Sequence, residues 1–421
     1  MIAQPLLTVE EAVGTALKNN YDILLAKSDS AAFAIDKSYA NAAFLPRINA
    51  TSGLVFNNNN QRQKLPDGTI RSNSSIRSDN INAAVLLNWT VFDGFKVFAT
   101  RDKLNALVQL GEWNVKAQAA NTTAAVITNY YNIVRQQQQL KAIEELMSIN
   151  EERVKLADKK LSTGLGAKPE LLQAKTDLNA QKAVRLQQQL LIEQLKEQLN
   201  QLMAAPLNTQ YKVADSIPVN NNIILGDVLQ QAEAANPALM AAKQNITVAD
   251  FILKERRADR YPVININGAY NFGKTNNQTV LNNFTPLLNQ TLGFNYGLSA
   301  SIPIFNNYNT KRLIQQAQRD IDYNKTVFEN IRSRNAAAVS NAFKEYDVQN
   351  KILLLEEENI LLAKENTAIS LERFRLGAAT YLELRETQKT LEDAYNRLIA
   401  ARYNTKAAET ELLRLNGTLI K

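Results

Sequence analysis

Neither cysteine nor histidine occurs in the sequence. Their absence removes thiol nucleophiles, disulfides, imidazole bases and the commonest zinc and copper ligands together, so most reaction classes lack their usual reagents. Neither catalysis nor a cofactor is expected. No apolar run approaches the roughly 18 to 20 residues of a membrane-spanning helix, which leaves β-barrel strands open, because their trace is far weaker. Residues Met1 to Leu7 have neither a charged n-region nor an apolar h-region, so a signal peptide is expected to have been removed already. With no cysteine near the start, a lipid anchor is not visible. Clusters of one charge are missing too: 48 basic residues are interspersed with 41 acidic ones, for a net charge of +7. A nucleic-acid partner would leave a clustered basic footprint, and none is expected here.

What is present is a duplication. Leu45-Pro46-Arg47-Ile48-Asn49 returns as Tyr261-Pro262-Val263-Ile264-Asn265, and Ala16 to Asn20 returns as Ala232 to Asn236. Val91-Phe92-Asp93 matches Ile304-Phe305-Asn306, and Leu161-Ser162-Thr163-Gly164 matches Phe374-Arg375-Leu376-Gly377. A period of about 215 residues is far beyond the roughly 20 to 50 of a solenoid unit and indicates a duplicated domain with internal two-fold pseudosymmetry. The reading is a first repeat over 1–205, a linker over 206–223 and a second repeat over 224–421.

Each repeat has the same order of patterns. Thr8 and Glu11 form a capping-box spacing that opens a short helix stopped near Asn19-Asn20, with a counterpart stopped at Asn236-Pro237. A second helix is predicted from about Tyr21 to Phe44, ended by Pro46, and its twin is ended by Pro262. The period then changes from 3.6 to 2. Ile48, Ala50, Ser52, Leu54 and Phe56 alternate with more polar residues, as do Ile81, Ala83, Val85, Leu87, Trp89 and Val91. Ile264, Ile266, Gly268, Tyr270 and Phe272, and Phe294, Tyr296, Leu298, Ala300 and Ile302, do the same in the second repeat. Each repeat therefore carries a β-hairpin, about 47–92 and 263–305, with polar connecting loops at about 57–80 and 274–291. The aromatics Phe56, Trp89, Phe92, Tyr270, Phe272 and Tyr296 fit an interfacial girdle.

After the second strand of each hairpin comes a proline-free stretch on the order of 65 residues, or roughly 100 Å of helix. Val126, Tyr130, Ile133, Leu140 and Met147, echoed by Val339, Phe343, Tyr346, Leu353 and Ile360, mark a coiled-coil seam. The helices turn at Gly164-Leu165-Gly166 and Gly377-Ala378-Ala379 and return along a seven-residue ladder, Leu171, Leu178, Ile192 and Leu199, matched by Leu384, Leu391, Leu398 and Leu412. One rung is polar in each, Arg185 and Thr405. A return helix of about 35 residues covers its partner only when stacked end to end on the helix before the proline. Glu144-Glu145 and Glu356-Glu357-Glu358 read as solvated faces of the long helices. Four strands with one apolar face cannot close a barrel in lipid alone, so self-association is expected, with eight strands from two chains or twelve from three.

The paired LxxAxxxxN elements ending at Asn20 and Asn236, the junctions at Pro46 and Pro262, the Pro303-Ile304-Phe305-Asn306 turn and the glycine turns at Gly164 and Gly377, duplicated in that order, resemble the TolC-type outer membrane efflux proteins along essentially the whole chain. The resemblance implies a mainly α protein with membrane β structure: a homotrimer in which a 12-stranded β-barrel in outer membrane lipid continues into a 12-helix α-barrel extending into the periplasm. It implies a passive exit duct for an inner-membrane pump and a periplasmic adaptor, in efflux or in type I secretion. It places adaptor docking at the tips, Gly164, Leu165, Gly166, Gly377, Ala378 and Ala379, and a periplasmic aperture at Glu383 and Glu386, with Glu170 the first-repeat match of Glu383. An arginine that helps to lock the mouth in the family is replaced by Ala379, leaving Arg375 or Arg385 as substitutes. The alternative reading is a structural self-associating coiled-coil scaffold or adhesin whose hairpins only cap the helices.

Overall fold

The computed structural model describes residues 5–164, 166–220, 223–282 and 284–420. The chain forms two compact units, each drawing on both halves of the sequence. A helical unit comprises Met1–Ala31, Leu110–Lys243 and Thr326–Lys421, and a sheet unit comprises Ala32–Gln109 and Gln244–Lys325. The helices are α1 (Val9–Asn19), α2 (Tyr21–Ser38), α3 (Lys96–Ser162), α4 (Lys168–Met203), α5 (Leu225–Ala235), α6 (Pro237–Ala258), α7 (Asn309–Arg375) and α8 (Tyr381–Leu415). The strands are β1 (Arg47–Lys64), β2 (Ile70–Phe92), β3 (Val263–Asn277) and β4 (Leu288–Ser301).

In the sheet unit the four strands form one antiparallel sheet in the order β1-β2-β3-β4. The two hairpins are thus zipped together through β2 and β3, with Asn88 opposite Asn267 toward the end of that seam nearer Phe92. Pairing in register aligns like with like. Ala50, Val85, Tyr270 and Phe294 share one row; Ser52, Ala83, Phe272 and Leu292 share the next. Ile48, Leu87, Gly268 and Tyr296 lie on the same face. The other face is a polar ladder: Asn88 Nδ2 donates to Asn267 Oδ1 at 2.7 Å, Asn267 Nδ2 to Ser299 Oγ at 2.8 Å, and Thr90 Oγ1 to Asn265 Oδ1 at 2.7 Å.

Both hairpins outrun the expected loops. The segment expected as a loop from Asn57 is largely strand, since β1 runs to Lys64 and β2 begins at Ile70, and the one expected from Lys274 is strand at both of its ends, since β3 runs to Asn277 and β4 begins at Leu288. A strand continues wherever the backbone ladder continues, and beyond an apolar band it needs no apolar side chains to do so. The predicted second helix is also shorter than expected, because α2 ends at Ser38 and Ala40–Phe44 tightens into a 3₁₀ turn before Pro46.

The turns into the long helices repeat one geometry. Gly94 and Phe95 are both at positive φ (73° and 67°), as are Asn307 and Tyr308 (53° and 58°). Asp93 Oδ2 accepts from Val97 N at 3.0 Å and so caps α3, and Asn306 holds the same place before α7. Only glycine fits at 94, where a Cβ would lie 2.6 Å from Ala258 O.

In the helical unit the core follows the seam and ladder: Val126, Tyr130, Ile133, Ile192 and Leu199 in one cluster, Leu353, Ile360, Leu391 and Leu398 in another, and Val339, Tyr346 and Leu412 in a third. The linker packs rather than dangles. Leu6 and Lys212 form a parallel bridge, and Tyr130 Oη donates to Leu7 O while accepting from Ala214 N. The motif asparagines explain the stacked pairs. Asn20 Oδ1 accepts from Asp22 N and Ile23 N, capping α2, while its Nδ2 donates to Leu202 O at the end of α4, at 2.8 Å. Asn236 does the same between α6 and Leu415 of α8, again at 2.8 Å. One buried amide therefore satisfies orphan donors of one helix and an orphan acceptor of the next, because a primary amide carries both an acceptor and a donor.

Candidate functional site

The two helical tips lie in the helical unit. At the second, Gly377 N donates to Phe374 O at 3.2 Å and Ala378 N to Arg373 O at 2.8 Å, a Schellman closure with Gly377 at φ 77°. Gly164, at φ 74°, donates in the same way to Leu161 O at 3.1 Å. Leu165 lies outside the described residues. Gly166 has a different reason to be glycine: a Cβ there would sit 2.9 Å from both Leu161 N and Lys160 Cβ. The tips are joined by Lys160, whose Nζ lies 4.0 Å from the centre of the Phe374 ring and donates to Phe374 O at 3.3 Å. Leu376 and Leu382 are exposed apolar side chains at or close to the second tip.

Glu383 is built into the start of α8. Thr380 Oγ1 accepts from Glu383 N at 3.2 Å while Thr380 N donates to Glu383 Oε2 at 3.3 Å, a capping box that the Thr380-Leu382-Glu383 spacing carried and the sequence reading passed over. Glu386 is exposed one turn further on. Glu170 is in the first turn of α4, which starts without a side-chain cap, at Ala167, and has Pro169 in its first two positions.

Close to the mouth candidates is a buried polar node that sequence reasoning missed. Arg153 of α3 is only 1% exposed. Its Nη2 donates to Asp177 Oδ2 of α4 at 2.6 Å, its Nη1 to Gln388 Oε1 of α8 at 2.8 Å, and its guanidinium lies over the Tyr381 ring at 4.8 Å. Tyr381 Oη donates to Asp177 Oδ2 at 2.9 Å and Gln173 Nε2 to Asp177 Oδ1 at 2.8 Å. Arg385 reaches the same carboxylate at 3.6 Å, and Arg375 reaches Glu152 at 3.6 Å. Burial alone would raise the Asp177 carboxyl, but the hydrogen bonds from Gln173 and Tyr381 and the charge of Arg153 hold it below the usual carboxylate value. A cavity of about 410 Å³ beside the node is lined by Asn150, Gln181, Glu386, Gln388 and Lys389 among others. The signal that could have found it is the run of polar residues Asn150 and Arg153 continuing the spacing of the buried Leu146.

The long-helix carboxylates are not all solvated. Glu356 is buried and accepts from Arg397 Nε at 3.0 Å, Glu357 pairs with Arg402 at 3.0 Å, and Glu145 accepts from Tyr395 Oη. Long helices that lie side by side bring such residues against a second helix, where pairing offsets desolvation. Among the described residues no group of carboxylates is arranged to hold a metal ion.

In the sheet unit, Pro46 and Pro262 each sit immediately before a strand, and Pro303 lies two residues past the end of β4. Phe56, Trp89, Tyr270, Phe272 and Tyr296 share the apolar face, with Phe56 toward one end, Trp89 toward the other and the remaining three between them. Phe92 lies past a register shift, opposite Ile264. Trp89 Nε1 donates to Phe44 O at 2.8 Å.

A sequence profile of the outer membrane efflux proteins matches residues 12–205 and 228–418. The chain belongs to this family. Among its relatives, outer membrane protein TolC of Vibrio cholerae serotype O1 is 20% identical over 427 residues, covering 97% of this chain and 90% of that protein. Outer membrane efflux protein BepC of Brucella suis biovar 1 is 19% identical over 420 residues, covering 98% of this chain and 86% of that one. The fold is similar to that of the Campylobacter jejuni CmeC outer membrane channel, with a TM-score of 0.80 at 16% identity, covering 98% of this chain and 86% of CmeC. It is also similar to the outer-membrane channel OprN, with a TM-score of 0.78 at 16% identity over 97% of this chain and 90% of that one. As an outer membrane efflux protein, the chain is an outer membrane exit channel for efflux, and its family is one of channels rather than enzymes. The scaffold reading is not favoured.

Proposed function

We propose that this efflux protein works as a homotrimer, three four-stranded sheets closing a 12-stranded barrel and the helices a 12-helix duct in the periplasm, fed by a periplasmic adaptor and an inner-membrane pump. The observation that carries the reading is the sheet. It has one apolar and one polar face, and among the described residues its outer strands β1 and β4 have no partner strand on their far sides. Such edges are not tolerated in lipid and are abolished by closure. From Trp89 to Ile81 the apolar face extends eight residues along β2, about 27 Å, or about 21 Å at a tilt near 40°, close to the roughly 25 Å apolar band of outer-membrane barrels. The exposure of Phe294 (75%) and Tyr296 (83%) in the single chain suits contact with lipid. The repeat boundaries at 205 and 224 follow the duplication, and the aromatic side chains of the apolar face, Phe56 and Trp89 foremost, serve as its girdle.

The tips at Gly164–Gly166 and Gly377–Ala379 are the adaptor's docking surface, helped by exposed Leu376 and Leu382. Glu383 and Glu386 ring the mouth, with Glu170 beside them. Where the family's locking arginine is replaced by Ala379, Asp177 takes over as the anchor, drawing in Tyr381 and Arg385 of α8 and Arg153 of α3. The facing of the sheet is tested by assembly. Tyr270→Arg, mid-face, should cost roughly 2 to 4 kcal/mol and deplete heat-sensitive oligomer in membranes, whereas Asn267→Arg, on the polar face, should assemble. Equal assembly of the two variants overturns the barrel.

A further inference from the structure

The apolar face of the sheet ends differently at its two ends. Toward the helices its last rows are Trp89, Ile266 and Leu298, then Ile264 and Ala300, without a charge among them. Toward the hairpin turns, Lys274 joins the row of Leu54 and Ile81, and Arg77 stands opposite Asn58, two residues beyond Phe56 on the same side. The register shift between Asn59 and Gln61 places its extra residue on β2, where Ser75 takes a φ of 71°. The alternation of β1 is therefore uninterrupted, and Arg62 and Lys64 fall on the same face as Leu54 and Phe56. The one carboxylate in these rows is Asp79, which accepts from Gln278 Nε2 at 3.1 Å. Arg71, opposite Gln63, points to the other face.

From this asymmetry we propose that Arg62, Lys64, Arg77 and Lys274 form a cationic collar that binds the phosphate groups of anionic lipids in the leaflet at the hairpin end. The inference rests on the barrel reading and adds a lipid partner to it. Side chains that merely anchor a barrel at the water interface would serve both ends of the apolar band; a collar at one end alone matches a leaflet of distinct charge. Each cation near an anionic surface strengthens binding about fivefold, and a trimer repeats the four around its whole rim.

The test uses the full chain reconstituted as its oligomer in phosphatidylcholine vesicles with and without the phosphorylated glycolipid lipid A, reading the temperature at which the oligomer dissociates. Lipid A should raise that temperature for the native chain, and high salt should remove the rise. The quadruple variant Arg62→Gln, Lys64→Gln, Arg77→Gln, Lys274→Gln should insert normally in phosphatidylcholine yet lose the rise, while Arg47→Gln with Arg71→Gln, on the opposite face, should keep it. A rise that survives in the quadruple variant or at high salt, or no rise in the native chain, overturns the collar and leaves the barrel standing. An equal rise from inorganic phosphate alone overturns lipid docking in favour of a free-anion site. Failure of the native chain to insert in either vesicle overturns the barrel and the collar together.

Discussion

Removing either member of the Arg153–Asp177 pair should not cost the same. Arg153 is 1% exposed at its side chain and Asp177 is 18% exposed. Asp177→Asn strands a fully buried guanidinium whose remaining charge-assisted partner is Gln388 Oε1, itself neutral, and whose Nε already has no acceptor. An uncompensated buried charge of this kind costs about 3 to 5 kcal/mol. Arg153→Met removes the charge from the interior. Asp177 then keeps the hydrogen bonds of Tyr381 and Gln173, has Arg385 at 3.6 Å, and can draw on water. What is lost is two charge-assisted hydrogen bonds, to Asp177 and to Gln388, and the contact with Tyr381, about 1.5 to 3 kcal/mol per bond, offset by the several kcal/mol that holding a guanidinium out of water costs, so that the net loss falls below that of Asp177→Asn. The prediction is that Asp177→Asn destabilises more than Arg153→Met, and that the double variant costs less than the sum. Denaturant unfolding of the purified oligomer, followed by helical circular dichroism, measures all three. Equal costs, or a worse Arg153→Met, would show that the node is not organised around the buried cation.

The same pair fixes a pH dependence. The Asp177 carboxyl is held below its unfolded value, so its contribution is fully present above an unfolded pKa of about 4. It is lost as pH falls through the lower folded value. The native chain should lose stability below about pH 4 by a step that Asp177→Asn lacks. Identical acid limbs in the two proteins would refute the assignment.

At the tips, Gly164 and Gly377 need only a left-handed backbone, with nothing within 4 Å of an added Cβ, so asparagine at either should cost no more than about 1 kcal/mol. Gly166→Ala must displace backbone, and it should impair adaptor co-purification more than Gly164→Asn does, with oligomer levels as the control. At the mouth, Glu383→Gln keeps the capping box and removes the charge, whereas Glu383→Ala also loses the cap, about 1 kcal/mol. Single-channel recordings should therefore show reduced cation selectivity in both Glu383→Gln and Glu383→Ala, and unchanged selectivity in Glu383→Gln would remove Glu383 from the aperture.

Features set by local chemistry were legible in the sequence, and features set by which element lies beside which were not. Proline fixes its own φ and restricts its neighbour, so Pro46 and Pro262 marked real junctions. Period-2 alternation named the apolar face correctly because register aligns rows that already alternate, Val85 with Tyr270 among them. The pairing of β2 with β3 joins residues far apart in sequence, and nothing local at Asn88 announces Asn267; only the polarity of both, on strands of matched alternation, is consistent with it. The hairpin arms beyond Phe56 were read as loops because their side chains are polar, although the ladder that holds them is backbone. Arg153 was missed, and Glu356 was read as part of a solvated face, for the opposite reason. A charged residue on a long helix normally points to water, and whether it does depends on a second helix that covers it. Arg153 is covered because Asp177, Tyr381 and Gln388 converge on it from α4 and α8. The buried Arg153 is thus where three helices are fixed to one another, and leucine there would pack without specifying which helix meets which.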